Sequence, residues 1–580
     1  MDSSQAFNSS LNIATGAVTL QPTPKSQKKQ DASPPSHQPP SDIAANSNSS
    51  LLSSFDFANK SAEAEKMRSF FANIKRDSVL VSANADYVHT KPSYGFLTNH
   101  QLHAVLPVLE SRPALLSDRI FSQGPRPVEH PFSVRITLDM LNENKMLESP
   151  QTMEPEDASA TTPPSAPYQK ITKFTNCDVL RNGKIVKDET LWVRGGKIVD
   201  PASLFYEAEH GPDEIVDFKG RKTLIVPGFI DIQLNGYFGY DFADTDNIET
   251  SLDVISKGLL KYGVTSFCPT LVSSPAAVYH EVLPKIAQRK GKRSGHAEVL
   301  GAHIEGPFLA PPKKGAHDKF TLQSCPNGYK DMLDCYGPSL EAADSAVQII
   351  TVASEVEGMH ACIYELKKRN KNIVVSLGHT QARYKDAEEA LNCGATMITH
   401  LFNAMEPFHH RDPGPVGLIG CSLTSSGVDK PYYGIIADGV HADPASVRIA
   451  YVAHPDGCIL VTDAIAAAGM EGDVFSLGTM TVRRKSEVEV VIDGTDTLAG
   501  SVVTMPYCIK NLVRFTGCTL AQAINAATIA PATSIGISDR KGTLMPNTDA
   551  DFVVLDEFDE MDPSAFNIAH VYVNGEEVRS

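Results

Sequence analysis

Eight short apolar runs constrain the fold of this chain more than any other feature. They cover residues 224–234, 264–271, 298–305, 347–354, 372–378, 396–401, 433–439 and 458–463. Most of the gaps between them carry helix-patterned sequence, as in NIETSLDVISKGLLKYG and RYKDAEEALNCG. Short apolar runs are typical of parallel strands that are buried on both faces. The repeated strand–helix alternation predicts an α/β protein with a (β/α)8 TIM-like barrel over residues 225–540.

The sequence on both sides of the barrel predicts a small β-sandwich domain made from residues 168–224 and 541–580. The first flank alternates β-forming with polar residues, and Asn182-Gly183 and Gly195-Gly196 are hairpin signals between its strands. The second flank has comparable patterns in GTLMPNTDADFVVLDEF and HVYVNGEEV. Two separate stretches of chain are therefore expected to share one β domain.

Residues 1–165 have a different composition from the rest of the chain. The first part is rich in Ser, Pro, Asn and Gln, and a second proline-bearing tract, SPQTMEPEDASATTPPSAPYQ, begins near residue 149. Such segments bury too little apolar area to offset the entropy lost on ordering. We expect a low-complexity, largely disordered extension, in which residues 61–77 have the pattern of one amphipathic helix.

Charge and cysteine usage exclude several classes of protein. The formal net charge of -17, from 52 basic and 69 acidic residues, argues against a nucleic-acid partner. The 10 cysteines contain no CxxC pair, which favours reduced thiols in a cytoplasmic protein. We find no signal-peptide pattern and no apolar stretch long enough for a bilayer, so no membrane partner is expected.

Three residues at the ends of separate predicted strands suggest a metal site. Glu305, His379 and His400 would offer one oxygen and two nitrogens at the face of the barrel where active sites are built. Catalytic divalent ions commonly take three protein ligands and keep one position open. Each residue alone is more often structural or solvated, but the three together favour the metal site. Zinc, iron, cobalt and manganese all suit these ligands.

Asp463 ends the eighth apolar run, directly after CILVT, and has two interpretations. It precedes AIAAAGM and would cap a helix well. It could also act first as a general base and then as a general acid beside the ion. We favour the catalytic role because the eighth strand closes the barrel opposite the predicted ligands.

Arg411 lies beside His409 and His410 in the densest local group of basic side chains near a predicted site strand. Such a group could bind a phosphate through charge-assisted hydrogen bonds. It could equally be a solvated loop, and the spacing alone leaves both interpretations open.

Nine segments together resemble the N-acetylglucosamine-6-phosphate deacetylase family of the amidohydrolase superfamily. They are PGFIDIQLNGYFGYDF, GAHIEGPFL, KKGAH, LGHT, ITHLFNAM, HHRDPGPVG, IIADGVH, LVTDA and TLAGS, and the resemblance covers about residues 170–580. It implies that Glu305, His379 and His400 hold the metal and that Asp463 transfers protons. It also implies a homodimer in which Arg411 reaches the sugar phosphate of the other subunit. The substrate contacts it implies are Ala316, His317, Asn403, Ala404, Arg411, His441, Leu498, Ala499, Gly500 and Ser501.

The chain departs from many amidohydrolases after its first predicted strand. Those relatives have a His-x-His pair there that holds a second metal, whereas this chain has Gln233-Leu234-Asn235. Amides are poor ligands for a zinc-type ion. We therefore predict one divalent ion per subunit, with zinc as the first candidate. Gln233 would contact the ion or its water, or would make only a hydrogen bond at the barrel mouth.

The resemblance implies removal of the N-acetyl group from N-acetylglucosamine 6-phosphate, giving glucosamine 6-phosphate and acetate. Two alternatives are a different amidohydrolase acting on a cyclic amide and a non-catalytic barrel scaffold, since a fold does not fix a substrate. The presence of every ligand expected for one metal weighs against the scaffold.

Overall fold

The structure is a computed structural model that describes residues 168–207, 211–291, 293–342, 344–421, 427–477, 480–559, 562 and 564–578. The predicted extension over residues 1–165, with its helix over 61–77, lies outside the described residues. Among the described helices, none combines the length and the apolar character that crossing a membrane would require.

The N-terminal flank forms strands joined by the predicted hairpins. Its elements are β1 (Ile171–Arg181), β2 (Lys184–Arg194), β3 (Lys197–Ile198), α1 (Pro201–Glu207), β4 (Glu214–Asp217) and β5 (Leu224–Pro227). Asn182 and Gly183 both have positive φ and connect the antiparallel strands β1 and β2. Gly195 and Gly196, with φ of 57° and 75°, connect β2 to β3 in the same way. Both turns need the left-handed conformation that Asn and Gly tolerate.

A parallel barrel follows, which confirms the predicted fold class. Its strands and the small hairpin after the first of them are β6 (Phe229–Leu234), β7 (Gly236–Tyr237), β8 (Tyr240–Asp241), β9 (Val264–Leu271), β10 (Glu298–Val299), β11 (Ala302–Glu305), β12 (Val347–Val352), β13 (Val374–Leu377), β14 (Met397–Ile398), β15 (Tyr432–Ile435) and β16 (Cys458–Leu460). The strands β6, β9 and β11 to β16 pair in parallel, each with the next. Nearly every residue in these strands is buried, as their continuous apolar sequence predicts.

Helices connect the barrel strands and pack on them. They are α2 (Ile248–Gly258), α3 (Ala276–Arg289), α4 (Tyr329–Tyr336), α5 (Met359–Arg369), α6 (Tyr384–Asn392) and α7 (Pro444–Ala453). In α2, Ile248, Leu252 and Ile255 are buried, at the spacing of one helical face. The same periodicity recurs in α5, so each helix contributes an apolar stripe to the core around the barrel.

Two details differ from the predicted alternation. The third run, 298–305, is split into β10 and β11, because Leu300 and Gly301 interrupt it and Gly301 has a φ of 126°. In its described part, the connection from β14 to β15 contains the 3₁₀ helix Pro415–Gly420 in place of an α-helix. Its sequence, DPGPVGLIG, contains prolines and glycines that disfavour a longer α-helix.

The first and eighth strands close the barrel only at their C-terminal ends. There the Asp463 N–H donates to the Gln233 carbonyl at 2.8 Å, and the Asn235 N–H donates to the Ala464 carbonyl at 2.7 Å. Lower in the barrel a turn of the later chain lies between the strands. The N–H groups of Ile230 and Leu460 donate to the carbonyls of Ala527 and Ala526, both at 2.8 Å.

After the barrel the chain forms a small sheet and three helices and then returns to the first sheet. These elements are β17 (Val474–Leu477), β18 (Met480–Arg484), β19 (Val490–Ile492), α8 (Met505–Thr516), α9 (Leu520–Asn525), α10 (Ile529–Ser534), β20 (Phe552–Asp556), β21 (Asn567–Val573) and β22 (Glu576–Glu577). The flanking sheet has the order β22-β21-β20-β5-β1-β2-β3, with β4 paired to β1. Phe174, Phe552 and Tyr572 pack there in an apolar core separate from that of the barrel.

A buried cluster of charges connects this sheet to the end of the barrel where the strands begin. The Lys541 ammonium is 3% exposed and contacts Glu298 at 2.9 Å, Asp549 at 3.5 Å and also Asp551. Arg540 donates to both oxygens of Glu298, at 3.0 and 2.7 Å. The three carboxylates lie close enough together to hold a metal ion. Lys541 already supplies the positive charge at their centre, so the cluster is an ion-pair network.

Candidate active site

Glu305, His379 and His400 meet at the ends of three barrel strands, and we call them the triad. Glu305 ends β11, and His379 and His400 follow β13 and β14. Glu305 Oε1 lies 3.0 Å from His379 Nε2 and 2.9 Å from His400 Nε2, and the two ring nitrogens are 3.1 Å apart. All three residues are at least 95% buried. The structure therefore brings together the three residues that the sequence singled out as metal ligands.

The contacts of the triad fit a cation at its centre. His379 Nδ1 lies 2.8 Å from the Lys313 carbonyl, which can only accept, so this nitrogen carries the proton. In a neutral ring Nε2 then presents a lone pair to Glu305 and His400. His400 Nδ1 is buried and has no hydrogen-bond partner among the residues that the structure describes. Burial raises the pKa of Glu305, but the adjacent His379 and His400 rings outweigh it and hold that pKa well below its ordinary value. A carboxylate and two imidazoles suit zinc and similar divalent ions.

Three site residues share an uncommon backbone conformation. His379, His400 and Asp463 have φ of 49°, 28° and 48°, a region that residues other than glycine rarely adopt. Such conformations cost of order 1–3 kcal/mol each and concentrate at functional sites. Here they turn three side chains at the points where parallel strands end.

Asp463 faces the triad across the barrel mouth and is held by two amides. Its Oδ1 accepts from Asn235 Nδ2 at 2.7 Å and from Gln233 Nε2 at 3.4 Å. Gln233 Nε2 also lies 3.4 Å from both Glu305 oxygens, so this amide lies between the two carboxylates. Burial, reinforced by the charge of Glu305, raises the pKa of Asp463 to about 7. A carboxyl group with that pKa can both accept and return a proton near neutral pH.

His317 lies beside the triad with its ring against that of His379, the centroids being 4.5 Å apart. The backbone N–H of Ser273 donates to His317 Nδ1 at 3.1 Å, which leaves the ring proton on Nε2. Burial, together with the charge of His379, lowers the pKa of His317 to about 3. His317 is therefore a neutral hydrogen-bond donor.

His441 is oriented by a carboxylate three residues before it. Its Nδ1 lies 2.6 Å from Asp438 Oδ2, and Asp438 Oδ1 also accepts the backbone N–H groups of Val440 and His441 at 2.8 Å. His441 lies in the loop after β15, at the end of the barrel where the parallel strands end. With Nδ1 donating to Asp438, Nε2 has no hydrogen-bond partner in the described part of the chain and could contact a ligand.

The remaining predicted substrate contacts lie on loops, and some of these loops are hydrogen-bonded to the backbone of the site. Ser501 donates its backbone N–H to the Asp463 carbonyl at 2.9 Å, so the Leu498–Ser501 loop adjoins the eighth strand. Ala404 accepts from the backbone N–H of Thr380, next to His379. Arg411, by contrast, is exposed, and within the described chain no contact joins its guanidinium to the triad.

Comparison with known proteins agrees with this geometry. The sequence matches the Amidohydrolase family over residues 224–578. It is 44% identical over 414 residues to N-acetylglucosamine-6-phosphate deacetylase from Homo sapiens, covering 70% of this chain and 95% of that protein. The chain belongs to this family of amidohydrolases.

Solved structures of the family show the same architecture. The N-acetylglucosamine-6-phosphate deacetylase from Pasteurella multocida is 29% identical, with a TM-score of 0.60 over 70% of this chain and 99% of that one. An Asp-to-Ala variant of the enzyme from Mycobacterium smegmatis, in complex with N-acetyl-D-glucosamine-6-phosphate, is 28% identical, with a TM-score of 0.58 over 71% and 100%.

Sequence reasoning assigned no role to several residues that support the site. Asp438 had a local signal, since an Asp-x-x-His spacing at the end of a strand favours a carboxylate–imidazole pair. Asp231 accepts from the hydroxyl of Thr462, which directly precedes Asp463, at 2.6 Å. Asp231 and His303 are polar residues inside apolar strand segments, FIDIQL and AHIE, and a buried polar residue is informative by itself. Ser273 gave no signal, because it acts through its backbone.

Proposed function

We propose that this enzyme hydrolyses N-acetylglucosamine 6-phosphate to glucosamine 6-phosphate and acetate. The observation that carries the proposal is the buried triad facing Asp463, in a chain that matches nearly the whole length of its curated relatives. We propose that the triad holds one divalent ion per subunit and that zinc is the first candidate for this ion. Bound there, such an ion would polarise the amide carbonyl and lower the pKa of water.

The protein side chains have distinct parts in this reaction. Asp463 takes a proton from the attacking water and later gives it to the nitrogen of the leaving amine. His317 donates its Nε2–H to the carbonyl oxygen, where negative charge develops during attack. Asn235 holds the Asp463 carboxylate through its 2.7 Å hydrogen bond. The Gln233 amide nitrogen lies between the carboxylates of Asp463 and Glu305, and a glutamine at this position leaves no histidine to hold a second ion.

We also propose that the sugar phosphate is bound by His441 and by Arg411 of a second subunit. The support is the oriented His441 ring, the exposure of Arg411 away from the triad of its own chain, and the family resemblance. A homodimer would bring an exposed Arg411 to the neighbouring site. Cytoplasmic location remains a prediction.

The test is acetate release by the full-length protein from N-acetylglucosamine 6-phosphate and from the unphosphorylated sugar. Charge-assisted contacts to the phosphate predict a preference in kcat/KM of roughly 10- to 100-fold. A chelator should abolish turnover, and added zinc should restore it. Equal activity on both sugars would contradict the phosphate site, and hydrolysis of a cyclic amide alone would overturn the proposal.

Arg411→Ala should remove most of the preference for the phosphorylated sugar, mainly through a higher KM. Sedimentation at assay concentrations should show a dimer for the wild type and the variant. A monomer that retains the full preference would show that Arg411 does not act across an interface.

The pH profile should report the protonation of Asp463. Only the carboxylate form can accept a proton, so kcat/KM should fall on the acid side with an apparent pKa of at most about 7, since a bound cation favours the carboxylate. Asn235→Ala removes a hydrogen bond that lowers this pKa, so the acid limb should move to higher pH. Steady-state rates between pH 5 and 9 at saturating zinc measure the acid limb of the wild type and of the variant. An unchanged or lower apparent pKa in the variant would argue against this assignment.

A further inference from the structure

A chain of buried polar side chains crosses the barrel interior beneath the triad. His303 Nδ1 lies 2.9 Å from the Ile232 carbonyl, and its Nε2 lies 2.7 Å from Thr351 Oγ1. Thr351 Oγ1 is 2.7 Å from Thr399 Oγ1, which is 2.6 Å from Ser376 Oγ. We call His303, Thr351, Thr399 and Ser376 the interior chain. All four are at least 98% buried.

The interior chain has one consistent set of donors and acceptors. The Ile232 carbonyl can only accept, so the proton of a neutral His303 lies on Nδ1. Nε2 of this ring then accepts from the Thr351 hydroxyl. Thr351 accepts from Thr399, and Thr399 accepts from Ser376. Every hydroxyl proton therefore has an acceptor, and loss of one hydroxyl leaves a buried partner unpaired.

Three members of the interior chain, His303, Ser376 and Thr399, lie close in sequence to a residue of the triad, and Thr351 packs against the glycine before His379. His303 is two residues before Glu305 and shares its strand face, and Thr399 directly precedes His400. A side chain on Gly378, which precedes His379, would meet Thr351 Cγ2 and Thr399 Cβ at 2.8 Å. The interior chain is thus packed tightly against the backbone that carries all three residues.

We propose that the interior chain is a positioning device that sets the spacing of the triad, and through it the affinity for the divalent ion, without touching the substrate. The inference rests on the proposed function of the triad. Partners that orient metal ligands typically change metal affinity by 10- to 100-fold when they are removed. Thr351, at the centre, joins His303 to Thr399 and so carries the clearest test.

Thr351→Val keeps the shape of the side chain and removes its hydroxyl, whereas Thr351→Ser keeps the hydroxyl. Competition with a chromophoric chelator would measure the zinc dissociation constant of the full-length proteins. We expect Thr351→Val to weaken zinc binding about 10- to 100-fold and Thr351→Ser to stay within about threefold of wild type. Thr528→Val is the matched control, because the fully buried Thr528 hydroxyl donates to the Ile524 carbonyl, outside the interior chain.

Two further outcomes distinguish a failure of this proposal from a failure of the proposed function. Wild-type zinc affinity in a Thr351→Val protein of reduced thermal stability would overturn it and leave a packing role only. Zinc binding could be weaker in Thr351→Val while the wild-type protein is inactive on acetylated sugar phosphates. That pair of results would support the role of the interior chain and refute the proposed substrate. If Thr351→Val fails to fold, Ser376→Ala removes the terminal hydroxyl, and unchanged zinc affinity there would equally overturn the proposal.

Discussion

Asp463→Asn is expected to lower kcat by about 10²- to 10⁴-fold, the range for a lost acid–base group. The amide cannot accept the proton of the attacking water, and it cannot return one to the leaving amine. The change in shape is small, so the fold and the bound ion should survive. Acetate release per subunit, together with zinc content measured by elemental analysis, distinguishes lost chemistry from lost metal.

The control for this variant is a carboxylate away from the site. Asp456 is exposed in the 3₁₀ helix Pro455–Gly457, and Asp456→Asn should retain wild-type turnover. Near-normal activity of the Asp463→Asn protein with its metal in place would show that another group transfers the proton.

Lys541→Met should lower the free energy of unfolding by about 3–5 kcal/mol, the cost of leaving buried charges without their partner. Methionine occupies a comparable volume but leaves Asp551 and Asp549 without the ammonium between them. Glu298 keeps its contact with Arg540. The two sides of the cluster belong to the barrel and to the flanking sheet, so the loss acts on both. Chemical denaturation of the full-length protein measures the change.

Lys197→Met provides the comparison, because Lys197 contacts the same Asp549 at 2.8 Å with a side chain that is 46% exposed. Solvent screens that pair, and we expect a loss below about 1 kcal/mol. Equal effects of the two substitutions would mean that burial does not determine the contribution of this cluster.

The sequence predicts the barrel well, because strands buried on both faces are continuous apolar runs and parallel strands place their C-terminal residues at one end. The same logic finds Glu305, His379, His400 and Asp463. It does not find partners defined only by tertiary contact, such as the Ser273 N–H on His317. The split of the third strand at Gly301 is also hidden, since the residues on either side are apolar.

The position of Arg411 shows a second limit. The local sequence HHRDPG is consistent with both a phosphate contact and a solvated loop. The single chain places Arg411 in the open, so only an assembly could give it a role in the site. Residues whose surroundings come from another subunit leave no periodic signal in their own sequence.

The incomplete pairing of the first and eighth barrel strands has a consequence for biosynthesis. The turn at Ala526 and Ala527 fills the seam beside Ile230 and Leu460, and β20, which is synthesised later still, pairs with β5. A ribosome-bound fragment that ends before these segments cannot complete either sheet. Contacts between such distant parts of a chain also slow folding. Hydrolytic competence should therefore arise only after the segment through β20 has been synthesised and has paired with β5.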